Sequence, residues 1–149
     1  MHTPVGDVTI FEIDDAIVAL DWGWAAADAG GNGSALLHRA RDQLDAYFDG
    51  TLTAFELKLA PAGTPYRQKV WRALCDIPFG ATRSYLDIAR AAGGSPRSVG
   101  QANGSNPIPI IIPCHRVVAT THLGGYSGAG GLETKRWLLA HEDPSNSLL

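Results

Sequence analysis

Pro107-Ile108-Pro109-Ile110-Ile111-Ile112-Pro113-Cys114-His115-Arg116-Val117-Val118 is the stretch around which this 149-residue chain is organised. Three prolines restrict the backbone and the isoleucines between them show no helical period, so the run predicts a short buried extended segment, too short for a core helix. It ends in a thiol beside an imidazole and a guanidinium. Positive charge or an imidazole partner lowers a thiol's pKa from roughly 8.5, so Cys114 is expected to favour thiolate and act as a soft nucleophile. The bland alternative is a small buried hydrophobe, which is how Cys75 reads, on a helix among core-type neighbours.

Upstream, Thr64-Pro65 pairs an N-cap with proline at the first helical position, and Tyr66, Val70, Trp71 and Leu74 form the buried face until Ile77-Pro78-Phe79-Gly80 stops the helix. Ser84 caps a second helix over 85–92, Gly93-Gly94 turns the chain, and Ser95-Pro96 opens a third from Arg97 to Asn103. Helix, glycine turn and short helix form the pattern of a helix-turn-helix unit. Downstream, the glycine-rich stretch 119–131 predicts a loop able to approach a ligand closely or move as a lid. A last helix over 133–142 packs Trp137, Leu138 and His141, and residues 143–149 fray.

The front half is plainer. Two β-rich runs between Asp7 and Asp21, separated by Asp14-Asp15, predict a hairpin. Residues 22–34 read as a loop, Ser34 caps a helix over 35–48 ended by Asp49-Gly50, Leu52 to Leu59 predicts another strand, and 60–63 a linker. No constellation of reactive side chains appears there, so it reads as a scaffold. The fold class is α+β: an N-terminal α/β unit over 1–62 and a mainly helical C-terminal unit over 63–149.

Hydrophobic content of 45% and charged content of 18% are ordinary for a globular protein. The net charge of −3 conceals an asymmetry: from Pro65 onward nine Lys and Arg face five acids, a balance of +4, against −7 for the first 64 residues. A basic back half suits a DNA-binding unit, since phosphate affinity comes from local Lys and Arg. No targeting signal or membrane-length apolar run is present, two cysteines make no disulfide framework, and a reactive thiol needs a reducing compartment, so a cytoplasmic protein without a membrane partner is expected. Five histidines and two cysteines lack metal-ligand spacing, and no metal is expected.

Pro-Cys-His-Arg-Val at 113–117 after Ile-Pro-Ile-Ile-Ile, with Asn106-Pro107 before it and Tyr126-Ser127-Gly128 after it, resembles the active-site signature of the O6-alkylguanine-DNA alkyltransferases, the methylated-DNA-protein-cysteine methyltransferases. The resemblance covers Thr64 to Glu142 and, more loosely, the elements before it. It implies a ribonuclease-H-like N-terminal domain and a C-terminal domain with a winged-helix-like helix-turn-helix. It implies that Cys114 receives the alkyl group, that His115 acts on it through a water, and that Glu142, ionised, holds His115 and stabilises imidazolium and hence thiolate. Asn106 would tie the preceding turn to the active-site segment, and Tyr85 would contact the base and its phosphate. Arg97 would enter the base stack in place of a flipped nucleotide, Pro109, Tyr126 and Ser127 would line the pocket, and Arg116 would make a structural ion pair. The activity implied is a single irreversible transfer from O6-alkylguanine, and from O4-alkylthymine, in double-stranded DNA, by a monomer without cofactor. One departure is visible: Tyr126-Ser127-Gly128-Ala129-Gly130-Gly131-Leu132 is longer than the family's Tyr-Ser-Gly-Gly-Leu. Two alternatives stay open, a non-catalytic sensor of alkylated DNA and a Cys/His hydrolase, although an acyl enzyme needs an oxyanion hole that nothing in the sequence signals.

Overall fold

Strands β1 (His2–Thr3), β2 (Gly6–Ile13) and β3 (Ala16–Trp22) form an antiparallel sheet in that order. These and the elements below come from a computed structural model that describes residues 1–24, 34–128, 130–146 and 148–149; most of the expected 22–34 loop lies outside the described residues. The hairpin forms because Asp14 (φ 51°) and Asp15 (φ 63°) both adopt the left-handed conformation that a two-residue turn between twisted strands requires, and Asp tolerates it. The free edge of β3 is used twice. Ile17 exchanges backbone hydrogen bonds with Lys58 and Ala60, each 2.8 Å, and Leu20 N–H donates to Pro107 O at 2.9 Å.

The strand expected over Leu52–Leu59 does not form; a single parallel bridge between Ile17 and Leu59 is all that remains. Its alternation survives, with Phe55, Leu57 and Leu59 partly buried and the residues between exposed. What replaces a ladder partner is Gln43, whose amide accepts from Glu56 N at 2.8 Å and donates to Glu56 O at 3.2 Å.

Helix α1 (Ala35–Phe48) is capped by Ser34, whose hydroxyl accepts from Leu37 N. Helix α2 (Pro65–Cys75) is capped by Thr64 with Pro65 in its first turn. Helix α3 (Tyr85–Ala92) begins with a reciprocal capping box between Ser84 and Asp87, and α4 (Pro96–Gly104) with one between Ser95 and Ser98. Between them Gly93 and Gly94 take φ of 93° and 83°, and Tyr66 of α2 braces the turn through Gly93 O (2.9 Å) and Ser98 Oγ (2.8 Å). This is the expected helix-turn-helix. Cys75 departs from expectation: as the last residue of α2 it falls off the Val70–Trp71–Leu74 stripe and is exposed.

The apolar stretch is buried as expected but not extended. It curls back on itself, with Ile112 N–H donating to Ile108 O and Ile111 N–H to Pro109 O, both at 2.9 Å. Asn106 clamps the curl, accepting from Ile108 N at 2.9 Å and donating to Ile112 O at 2.8 Å. The backbone groups that a neighbouring strand would satisfy are thus satisfied within the segment. Ile110 stands at φ 74°, which costs a β-branched residue about 1–2 kcal/mol. Its side chain is 1% exposed, and burial of that size offsets the strain at about 1.5–3 kcal/mol. The chain continues through a 3₁₀ turn, Cys114–Arg116, into β5 (Val117–Val118), which pairs in parallel with β4 (Arg83–Ser84), and ends in α5 (Leu132–Glu142). One hydrophobic cluster joins Val8, Ile17 and Leu20 of the sheet to Val70 and Trp71 of α2 and to Ile108, Ile112 and Val117 around the curl. No helix among the described residues is long and apolar enough to cross a membrane.

Candidate active site

Cys114 opens the 3₁₀ turn at the floor of a cavity of about 440 Å³, 3% exposed. Its N–H donates to Ile112 O (2.7 Å), and its carbonyl accepts from Asn103 Nδ2 of α4 (3.2 Å), so helix and curl together hold the thiol in place. Asn106, Pro109, Tyr126 and Ser127 line the same cavity, and Ser127 Oγ donates to Gly104 O at 3.1 Å. Tyr85, at the start of α3, lies against the loop: a β-carbon at Gly124 would come within 2.7 Å of its hydroxyl oxygen. Arg97 is brought to none of these; it stands exposed on the second residue of α4.

Behind the thiol lies a fully buried polar cluster centred on Glu142, the last residue of α5. Its Oε2 accepts from Tyr47 Oη (2.6 Å), His115 Nε2 (2.7 Å) and Arg116 Nη2 (3.1 Å), and its Oε1 from Arg116 Nε (2.7 Å). Arg116 also donates to Ile77 O at 2.7 Å, making the expected ion pair part of the core. Burial alone would raise the Glu142 pKa, but the hydrogen bonds and charges around it prevail and hold it down at about 2. A carboxylate only accepts, so Nε2 of His115 carries the proton and Nδ1 is the free acceptor of a neutral ring.

The surroundings of Cys114 and His115 work against the expected thiolate–imidazolium pair. Burial holds the His115 pKa below its ordinary value despite the pull of Glu142, and the charges of Arg116 and Lys135 push the same way. Arg116 shares the Glu142 carboxylate, so less of its negative charge is available to His115. Burial likewise pushes the Cys114 thiol up, against the Asn106 amide and the Lys135 charge, which favour thiolate. Both shifts run against a thiolate–imidazolium pair in the free protein.

Three contributors escaped the sequence reading. Tyr47 reaches Glu142 from 95 residues away, and no local pattern announces that. Lys135 is fully buried, its Nζ donating to Val117 O (2.7 Å) and Gly125 O (2.9 Å), which ties β5 to the loop; burial brings its pKa to about 8. A lysine three and four residues before Leu138 and Leu139, on the apolar face of the helix, was the available signal. The third is β3, whose Leu20, Asp21 and Trp22 form a wall of the cavity, so the front half is more than a scaffold. His115 Nδ1 and Tyr126 Oη are buried without a hydrogen-bond partner among the described residues, as suits groups that meet a substrate or solvent.

Two family models match the chain: "6-O-methylguanine DNA methyltransferase, ribonuclease-like domain" over residues 1–61 and "6-O-methylguanine DNA methyltransferase, DNA binding domain" over residues 65–144. The chain belongs to this family. Among similar 6-O-methylguanine DNA methyltransferases, the constitutive methylated-DNA–protein-cysteine methyltransferase of Bacillus subtilis is 44% identical over 150 residues, covering 93% of this chain and 90% of its own. The methylated-DNA–protein-cysteine methyltransferase of Methanosarcina barkeri is 52% identical over 107 residues, 70% of this chain and 66% of that one. Of solved structures, Mycobacterium tuberculosis O6-methylguanine methyltransferase superposes with a TM-score of 0.82 at 38% identity, covering 98% of this chain and 92% of that chain. Mycobacterium tuberculosis OGT in complex with DNA gives 0.83 at 39% identity, covering 99% and 93%. The expected fold class is therefore that of the family: a ribonuclease-like N-terminal part and a helical DNA-binding part.

Proposed function

We propose that this protein repairs DNA by transferring the alkyl group of O6-alkylguanine, and of O4-alkylthymine, from double-stranded DNA to Sγ of Cys114, once and irreversibly. The observation that carries this reading is a buried thiol at the floor of a cavity, beside an imidazole held by a buried carboxylate. The names of the relatives, and the DNA in one of the solved structures, point the same way.

Base pairing and stacking hide O6 within a duplex, so the lesion is flipped into the cavity. Arg97, exposed on α4, fills the gap in the stack, while the helix-turn-helix holds the backbone. His115 Nδ1 takes the thiol proton, by way of a water in the reading the family resemblance implies, and Glu142 steadies the imidazolium that forms. The sulfur then attacks the alkyl carbon. An S–C bond forms, the C–O6 bond breaks, and its electron pair leaves with the base, which regains a proton with Tyr85 as the nearby donor. Displacement at saturated carbon calls for no oxyanion hole, and the product thioether has no neighbouring group to cleave it. The proposal includes a division of labour, with residues 1–62 bracing and walling the cavity and residues 63–149 binding DNA. It also includes a cytoplasmic monomer as the working form.

Intact-protein mass spectrometry after incubation with a duplex containing O6-methylguanine tests the reading. The expected result is a gain of one methyl group, confined to the peptide bearing Cys114 and stopping at one equivalent. Tight lesion binding without an adduct would leave a damage sensor instead.

A further inference from the structure

The cavity in front of Cys114 is closed on one side by the front half of the chain. Leu20, Asp21 and Trp22 of β3 stand in its lining together with Tyr126 and Gly128 of the loop. The strand is not free to retreat: Leu20 N–H is bonded to Pro107 O at 2.9 Å, and Trp22 pairs with Val8 in the sheet, so the wall is in register with the curl that presents the thiol.

Opposite, the loop is anchored from behind. Lys135 holds Gly125 O at 2.9 Å and Ser127 holds Gly104 O at 3.1 Å. At Gly128 the two walls meet. A β-carbon there would lie 2.9 Å from Trp22 Cζ2 and would run into the Tyr126 ring, so only the bare backbone of Gly128 fits against the two aromatic side chains. The indole is thus the stop against which the loop rests, and it can give way only by rotating a large, half-buried ring.

We propose that Trp22 is a specificity-determining residue: its indole, seated against the Gly128 backbone, limits the size of the alkyl group that reaches Cys114. The inference rests on the alkyl-transfer reading above and deepens it by assigning the front half a part in substrate choice. A methyl group passes easily, and a flat arylmethyl group meets the indole edge.

The test compares rates of Cys114 alkylation by duplexes carrying O6-methylguanine and O6-benzylguanine, read as the benzyl-to-methyl ratio for the full-length chain. Trp22→Ala is expected to raise that ratio about tenfold, the discrimination that a small change in apolar pocket volume commands. Trp22→Phe, which keeps an apolar ring in the core and protects folding, is expected to raise it by less. Trp24→Ala removes an exposed neighbour outside the cavity lining and should leave the ratio where it was. An unchanged ratio in both Trp22 variants, with methyl transfer intact, overturns the inference and leaves the reaction standing. A falling ratio also overturns it, making the indole a stacking platform. A wild-type protein that forms no methyl adduct removes the alkyl-transfer reading itself.

Discussion

Behind Cys114, the Glu142 carboxylate takes four hydrogen bonds from three buried side chains, whereas in front of it the loop at 124–128 is held mainly through its own backbone, by Lys135 on Gly125 and Tyr85 against Gly124. The rear is a closed network in which each member's protonation depends on the others. The front is glycine backbone resting on large side chains. In the proposed reaction the contrast separates two roles: the rear would set when the sulfur loses its proton, and the front what can approach it.

The hardest break is to remove the sulfur that both sides serve. Cys114→Ser is expected to abolish methyl transfer in mass spectrometry while duplex binding, measured by gel shift, persists, since the helix-turn-helix is untouched. Transfer by this variant would take Cys114 out of the chemistry.

Breaking the rear should cost stability as well as rate. Glu142→Gln leaves Arg116 charged and unpaired in the core, and chemical denaturation is expected to show a loss of about 3–5 kcal/mol. Because the Glu142 pKa falls on folding from 4.5 to about 2, its contribution is fully present above pH 4.5 and is lost as pH falls toward 2. The stability gap between wild type and Glu142→Gln should therefore narrow across that window; a gap that is flat with pH would mean the carboxylate charge is not what the cluster needs.

A gentler probe leaves the cluster whole. The pH dependence of iodoacetamide reaction at Cys114, read by mass spectrometry in the free protein, should rise through a midpoint above the ordinary thiol value, because burial raises it. Asn106→Ala should move that midpoint further up, since the amide's help to the thiolate is gone. A midpoint near neutrality would restore the thiolate–imidazolium pair that the sequence suggests.

Cys75→Ser gives the smallest effect. This thiol is exposed at the end of α2 and lies outside the cavity lined by Cys114, so stability is expected to change by less than about 0.5 kcal/mol, with transfer unaltered. A large loss of transfer would connect Cys75 to the active site.

Much of this was legible in one dimension because the causes are local. Ser34, Thr64, Ser84 and Ser95 all cap helices by bonding an N–H three residues on, and Asp14-Asp15 makes a turn from its own dihedral preferences. The thiol and imidazole are neighbours in the chain, and the family signature around them named Asn106, Pro109, Tyr126 and Ser127, which the fold gathers into one cavity. Leu52–Leu59 misled for the converse reason: its alternation is real, but a strand needs a partner, and the partner here is a glutamine side chain from α1.

By itself, then, the sequence determined the helices, the hairpin, the helix-turn-helix and the candidate nucleophile, each written in residues a few positions apart. Only the tertiary structure decided which charges surround the thiol and the shape of its entrance. Arg116 pairs with Glu142, Tyr47 joins it across 95 residues, and Trp22 meets Gly128. Electrostatics and packing act through space, so their outcome is set by how far apart side chains end up and not by how far apart they are in the chain.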